Sequence, residues 1–92
     1  MVTLEFPNPS RSFDEERNAV RFIGHDGMFE VRFFVEVEAL AKSNAELRSK
    51  TASEGAYLAA FDAARSAVLD VARKAYSRDR RNSLTLTVEN FR

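Results

Sequence analysis

The sequence is short of the residues on which most metal and redox chemistry depends. Its 92 residues include no cysteine, no tryptophan and a single histidine, His25. A chain without cysteine forms no disulfide and offers no thiolate as a nucleophile or ligand. Zinc sites are built from several histidine, cysteine or carboxylate ligands, so one histidine does not supply one. We therefore expect neither a metal nor a cofactor.

Glycine-rich catalytic motifs are missing as well. The three glycines form neither the phosphate loop of nucleotide-binding proteins nor the serine turn of the α/β-hydrolases. A serine nucleophile would need His25 as its base. That histidine lies in Gly24-His25-Asp26-Gly27, a stretch typical of an exposed turn. The sequence therefore predicts that the protein is not an enzyme.

Long apolar runs and an excess of charge are also absent. No apolar run approaches the roughly 20 residues that cross a membrane, and the first residues lack the pattern of a signal peptide. Fourteen basic and fourteen acidic residues cancel, so no net charge attracts polyanions or membranes. We expect a cytoplasmic protein without membrane contact, in which residues 1–92 form one domain.

What the sequence does contain is a long helical pattern over residues 51–76. Thr51 and Glu54 have the spacing of a capping box, and alanine, the best helix former, is frequent after them. Large apolar residues recur at intervals of three, four and seven, which places them on one face of a helix. The pattern predicts one long helix whose apolar face is formed by Tyr57, Phe61, Val68, Val71 and Ala75.

One basic residue, Arg65, lies at the edge of this apolar face. Its stem can pack while its charged head stays in water, or its head can pair with a carboxylate of the sheet. We favour the first interpretation, because long basic side chains often behave in this way at the edge of an apolar surface.

Alternating apolar and polar residues indicate strands in four stretches, namely residues 3–6, 18–23, 28–36 and 83–88. The second and third form a hairpin around the Gly24–Gly27 turn. Residues 10–18 are expected to be a connection, and residues 37–47 a second, shorter helix. Strands followed by helices predict an α+β fold rather than a doubly wound parallel sheet.

The expected architecture has two layers, with the element order β-β-β-α-α-β. About four strands form a mostly antiparallel sheet, and both helices pack on one of its faces. The inner face should carry apolar side chains and the outer face polar ones. The inner side chains are predicted to be Leu4, Phe22, Phe33 and Leu86.

Two apolar side chains, Ile23 and Phe34, are expected to interrupt the polar outer face, with Arg21 and Arg32 beside them. Exposed apolar residues near a strand edge can bind another chain or a second copy of the same chain. The first functional hypothesis is therefore a protein-interaction or accessory module that uses this surface.

The alternative hypothesis is weak nucleic-acid binding through a basic stretch at the end of the long helix. Arginine and lysine at this density can contact phosphates, with an affinity that falls as salt is added. The dipole of the helix stabilises the same cations without any ligand, and the neutral net charge favours that explanation. The residues concerned are Arg73, Lys74, Arg78, Arg80 and Arg81.

Several segments together resemble a known family. They are LEFPNPSRSF, AVRFIGHDGMFEVRFFV, EAL, AFDAARS and SLTLTVENF. Across Leu4 to Phe91, the chain resembles the small proteobacterial proteins grouped as domain-of-unknown-function family 1488. The shared features are mostly core aromatics and turn residues, so the resemblance implies a small α+β fold. It implies no catalytic residues and no assignable activity.

Overall fold

The structure is a computed structural model that describes residues 4–41 and 53–91. The described residues form five strands, three α-helices and a C-terminal 3₁₀ helix. In chain order they are β1 (Leu4–Glu5), β2 (Arg11–Asp14), β3 (Ala19–Asp26), β4 (Phe29–Glu36), α1 (Val37–Ala41), α2 (Glu54–Ala63), α3 (Arg65–Arg78), β5 (Ser83–Leu86) and the 3₁₀ helix (Val88–Phe91). The predicted α+β class is confirmed.

One sheet contains all five strands. The central strand β3 pairs antiparallel with β4 along one edge, and β1 and β2 share its other edge. β5 lies beyond β4 and runs parallel to it. That pairing is parallel because the helices carry the chain back across one face of the sheet before β5 begins. The sheet is mostly antiparallel, as predicted.

Strand β2 is an addition to the predicted architecture. It lies within residues 10–18, which the sequence indicated as a connection. Only Phe13 of its four residues is apolar, so alternation does not identify it. The strand forms because its backbone pairs with β3 over four residues, from Arg11 opposite Phe22 to Asp14 opposite Ala19.

The turn between β3 and β4 lies closer to the C-terminus than the sequence indicated. Asp26 pairs with Phe29, so only Gly27 and Met28 remain between the strands. Gly27 has a φ of +61° and Met28 has a negative one. A positive φ at only the first of the two turn residues is typical of a type II′ turn. The backbone twist of this turn matches the right-handed twist of the two strands that it joins.

Gly24 belongs to strand β3 and not to a turn, which corrects the prediction. The ring of Phe6 lies against it, and a Cβ at this position would come within 2.8 Å of Phe6 Cε1 and 3.1 Å of Leu4 Cδ1. The absence of a Cβ at Gly24 therefore allows the side chains of Leu4 and Phe6 to pack closely on the strand. Sequence alone does not distinguish this role from that of a turn glycine.

The long helical pattern forms two helices in the structure, which corrects the prediction of one. Ser53 caps α2, since its Oγ accepts a hydrogen bond from the backbone N–H of Ala56 at 3.3 Å. The helix is interrupted at Ala64, with φ −102° and ψ 10°. The apolar face continues across this interruption, because Phe61 and Val68 are both buried. Periodicity therefore does not reveal the interruption.

Some predicted features lie outside the described residues. Thr51, the predicted helix cap, is one of them. Of the shorter helix predicted over residues 37–47, the structure describes Val37–Ala41, which are helical, and residues 42–47 lie outside the described ranges.

The core lies between the helices and the inner face of the sheet. The rings of Phe22 and Phe33 stack with centroids 5.2 Å apart, and Phe61 of α2 lies 5.0 Å from Phe22. Buried residues of all three helices join the same cluster. The four side chains predicted for the inner face are all buried, which confirms that assignment for Leu4, Phe22, Phe33 and Leu86.

Candidate binding surfaces

The outer face of the sheet does not expose the apolar pair that the sequence indicated. Phe34 lies on this face opposite Arg21, but only 5% of its surface is exposed. The guanidinium of Arg17 lies 4.1 Å from the centroid of its ring and covers it. Arg17 belongs to the turn between β2 and β3, which folds over this part of the sheet. The prediction of an exposed Phe34 is therefore wrong.

The other residues of the predicted surface have polar neighbours. Ile23 is half-buried and lies opposite Arg32 of the neighbouring strand β4. Arg32 is exposed, and its Nε lies 3.9 Å from Oε1 of Glu30. Arg21 of strand β3 is half-buried. It lies opposite Ser12 of β2 on one side and opposite Phe34 of β4 on the other. Within the described residues, this face is a polar surface with one partly covered apolar side chain.

Two of the five basic residues at the end of α3 are paired with carboxylates. Arg73 bonds to Asp70 at 3.2 Å, and its guanidinium lies 5.2 Å from the centroid of the Phe6 ring. Arg81 bonds to Asp79 at 2.7 Å. Both guanidinium groups therefore have a partner within the protein, which reduces the positive charge that they offer to a polyanion.

The other three basic residues lie at two different places. Lys74 and Arg78 line a cleft of about 450 Å³ between α3 and the 3₁₀ helix. Arg80 lines a separate hollow of about 230 Å³, together with Arg81 and Phe29. The five side chains do not converge on one surface, although the sequence places them within nine residues of each other.

The exposed large apolar residues of the described chain lie at the end of the β3–β4 hairpin. Met28 is 99% exposed and Phe29 is 76% exposed. In the alternation of this strand, Phe29 shares a face with Val31 and with Phe33, which was predicted to be an inner residue. The side chain of Phe29 is nevertheless in solvent, because the last buried residue of α3 is Tyr76 and the helix ends two residues later.

A hydrogen bond fixes this end of the hairpin to α3. The hydroxyl of Tyr76 donates to Oδ2 of Asp26 at 2.7 Å, and Asp26 pairs with Phe29 across the turn. The hydrogen bond to the Asp26 carboxylate raises the pKa of the Tyr76 hydroxyl, and desolvation of the hydroxyl raises it further. We call Met28, Phe29, Arg80 and Arg81 the hairpin tip. The Tyr76–Asp26 hydrogen bond joins the end of strand β3, next to this surface, to α3.

Arg65 pairs with a carboxylate, but not with one of the sheet. Its Nη2 donates to Oδ1 of Asp62 at 2.9 Å and to the carbonyl oxygen of Pro9 at 3.1 Å. The guanidinium also lies 4.9 Å from the centroid of the Phe61 ring. The contact with Pro9 reaches from the helices to the segment between β1 and β2, so Arg65 links the two layers.

His25 lies on strand β3 and not in a turn, opposite Glu5 on one side and Glu30 on the other. In the ranges 4–41 and 53–91, no three histidine, cysteine or acidic residues are grouped to hold a metal. Among the helices of these ranges, none is both long and apolar enough to span a membrane.

A family model described as "Protein of unknown function (DUF1488)" matches residues 4–87, or 84 of the 92 residues. The chain belongs to this family. The resemblance of the sequence segments is thereby confirmed. Neither a curated protein nor a solved structure matches the chain. The family model assigns no activity, so functional inference rests on the surfaces themselves.

Proposed function

We propose that this protein is a cytoplasmic interaction module rather than an enzyme, and that it binds another protein through the hairpin tip. The observation that carries the proposal is the exposure of two large apolar side chains, Met28 at 99% and Phe29 at 76%. They are adjacent in sequence and occupy the turn and the first residue of the following strand.

Docking of these two side chains is favourable on physical grounds. Full burial of a methionine or phenylalanine side chain contributes about 1.5–3 kcal/mol. Aromatic residues and methionine are enriched in the cores of protein interfaces. The type II′ turn and the Tyr76–Asp26 hydrogen bond constrain the backbone next to the tip, so a partner that binds there orders mainly the two side chains.

The charges around the tip indicate the chemistry of the partner. Arg80 and Arg81 line the hollow beside Phe29, and Glu30 is the one acidic residue of that lining. Arg80 forms no ion pair with any described residue, so it is available to a partner. A partner with an apolar pocket for Phe29 and carboxylates at the pocket's rim matches this arrangement.

The second candidate function is nucleic-acid binding at the same tip. An aromatic side chain beside two arginines can stack a base and contact phosphates. We favour a protein partner because the chain has no net charge and because Arg81 is paired with Asp79. Lys74 and Arg78 also face a different cleft, so the tip lacks their contribution.

The proposal is tested by selecting partners for the tip from a library of random displayed peptides. Wild-type protein and the double variant Met28→Ser/Phe29→Ser are used in parallel. We expect wild-type protein to enrich peptides with an aromatic or aliphatic residue flanked by Asp or Glu. The double variant should bind the enriched peptides at least about ten-fold more weakly, a loss of about 1.4 kcal/mol.

Ile23→Ser is the matched control, because it removes an apolar side chain from the outer sheet face instead of the tip. It should leave peptide affinity unchanged, whereas Arg80→Glu should lower it. Equal binding by wild-type protein and the double variant, or no enrichment at all, would rule out the tip as a protein-binding surface. Salt-sensitive binding of a mixed single-stranded oligonucleotide at the tip would establish the second candidate instead.

A further inference from the structure

We infer that the cleft between α3 and the 3₁₀ helix binds a small amphipathic anion, meaning a carboxylate or phosphate group attached to an apolar body. The cleft encloses about 450 Å³, which is within the range of roughly 300–1,000 Å³ typical of small-molecule sites. It shares no lining residue with the hollow at the hairpin tip. The inference is therefore independent of the proposed protein interaction.

Two cations of α3 supply the positive charge of the cleft. Lys74 and Arg78 are four residues apart, so they project from the same side of the helix. Both are exposed, and neither is paired with a carboxylate in the described part of the chain. Their neighbours Arg73 and Arg81 do have such partners. An acid group between Lys74 and Arg78 would receive two charge-assisted hydrogen bonds.

Asn90 offers a third donor from the opposite side of the cleft. Its Oδ1 accepts a hydrogen bond from the backbone N–H of Thr87 at 2.8 Å and lies 3.3 Å from the Thr87 hydroxyl. A backbone N–H can only donate, so this bond fixes which way the side-chain amide points. The amide NH₂ of Asn90 is left to donate to a ligand.

The apolar part of the ligand has its own contact surface. Val71 and Ala75 of α3 and Phe91 of the 3₁₀ helix line the cleft, and all three are half-buried. The carboxylate of Glu89 also lines it, which leaves a net charge of +1 from the charged lining residues Lys74, Arg78 and Glu89. A small acid with an aromatic or aliphatic body therefore matches both the charge and the shape.

The test is an NMR titration of the full chain with benzoate and with phenyl phosphate. Either compound should shift the amide signals of residues 71–78 and 88–91 and the side-chain NH₂ signals of Asn90. We expect a dissociation constant below about 1 mM for at least one of them. Acetate, inorganic phosphate and uncharged benzyl alcohol should bind at least about ten-fold more weakly, because each lacks one half of the ligand.

Substitutions then distinguish ligand binding in the cleft from a general effect of the positive charge of the protein. Lys74→Gln and Arg78→Gln should each weaken binding at least about five-fold, since each removes one charge-assisted contact. Arg80→Gln removes the same charge two residues further along the chain, outside the cleft, and should leave the affinity unchanged. All three side chains are exposed, so the variants should retain the dispersed spectrum of the folded protein.

The outcomes are distinct. Binding of benzoate but not phenyl phosphate identifies a carboxylate ligand, and the reverse identifies a phosphate ligand. The inference is overturned if neither compound gives saturable shifts in the cleft, or if Arg80→Gln weakens binding as much as Arg78→Gln. Loss of peptide binding by the Met28→Ser/Phe29→Ser variant has no bearing on this result, because the two surfaces are separate.

Discussion

The carboxylate of Asp62 accepts hydrogen bonds from two arginines in different parts of the fold. Arg11 of the edge strand β2 binds both oxygens, with Nε–Oδ1 at 2.9 Å and Nη2–Oδ2 at 2.8 Å. Arg65 of α3 donates to Oδ1. The hydrogen bond from Arg11, reinforced by Arg65, lowers the pKa of Asp62 below its usual range. At the residue scale, this is the clearest polar link between the sheet edge and the helices.

The lowered pKa predicts a pH-dependent contribution of Asp62 to stability. A carboxyl whose pKa is lower in the folded state stabilises the fold above its unfolded pKa of about 3.9, and the effect disappears as the pH falls through the folded value. Asp62→Asn should therefore lower the Tm slightly at pH 7, because solvent screens a carboxylate that is 41% exposed. Thermal unfolding followed by circular dichroism from pH 7 to pH 2 measures the difference.

The control for this experiment is Asp70→Asn, which removes one charge from an exposed ion pair on α3. It should change the Tm less than Asp62→Asn does at pH 7. A difference between wild-type protein and Asp62→Asn that persists undiminished at pH 2 would contradict the ionic origin of the effect.

At the scale of single elements, the β3–β4 hairpin is the longest pairing in the sheet. It runs over eight residue pairs, from Ala19 opposite Glu36 to Asp26 opposite Phe29. Its turn depends on Gly27, whose φ is +61° and around whose Cβ position no atom lies within 4 Å. A substitution here changes backbone strain without creating a clash.

Replacement of Gly27 by a residue with a Cβ should therefore destabilise the fold through its backbone alone. A residue other than glycine that is held at a positive φ outside the populated regions costs about 1–3 kcal/mol, and asparagine tolerates a positive φ better than most residues. We expect Gly27→Val to lower the free energy of unfolding in urea by at least about that amount and Gly27→Asn by less. Equal losses in the two variants would contradict this explanation, because they would point to a contact rather than to φ.

At the scale of the whole molecule, stability depends on one cluster of aromatic and aliphatic side chains between the two layers. A chain of this length buries only about 60–65% of its unfolded surface, so each large core residue contributes a large share. Phe61 has no exposed surface, and its ring contacts Phe22 of the sheet. Phe29 is the same residue type with 76% of its surface in solvent.

These two phenylalanines give a matched comparison. Phe61→Ala should lower the free energy of unfolding by about 3–5 kcal/mol, because it removes apolar contacts and leaves a cavity. That is a large part of the roughly 5–15 kcal/mol typical of a domain. Phe29→Ala should change it by less than about 0.5 kcal/mol. Urea denaturation measures both, and a comparable loss for Phe29→Ala would show that the hairpin tip is packed rather than free.

The amino-acid sequence by itself determined the fold class, the inner face of the sheet and the family. Alternation in the strands and the three-to-four spacing in the helical region are local properties, because each residue's face follows from its own backbone geometry. For the same reason the sequence correctly placed Leu4, Phe22, Phe33 and Leu86 on the inner face. The polar strand β2 and the interruption at Ala64 lack a periodic signal, so neither was predicted.

Only the tertiary structure decided which side chains are covered. Alternation gives the face on which a residue lies, but coverage depends on whether another element reaches that position. Phe34 lies on the outer face and is buried, because Arg17 from a distant turn covers its ring. Phe29 belongs to the inner alternation and is exposed, because α3 ends near Tyr76. The candidate binding surface is therefore the hairpin tip and not the sheet face that the sequence indicated, because contacts between residues far apart in the chain determine which side chains are buried.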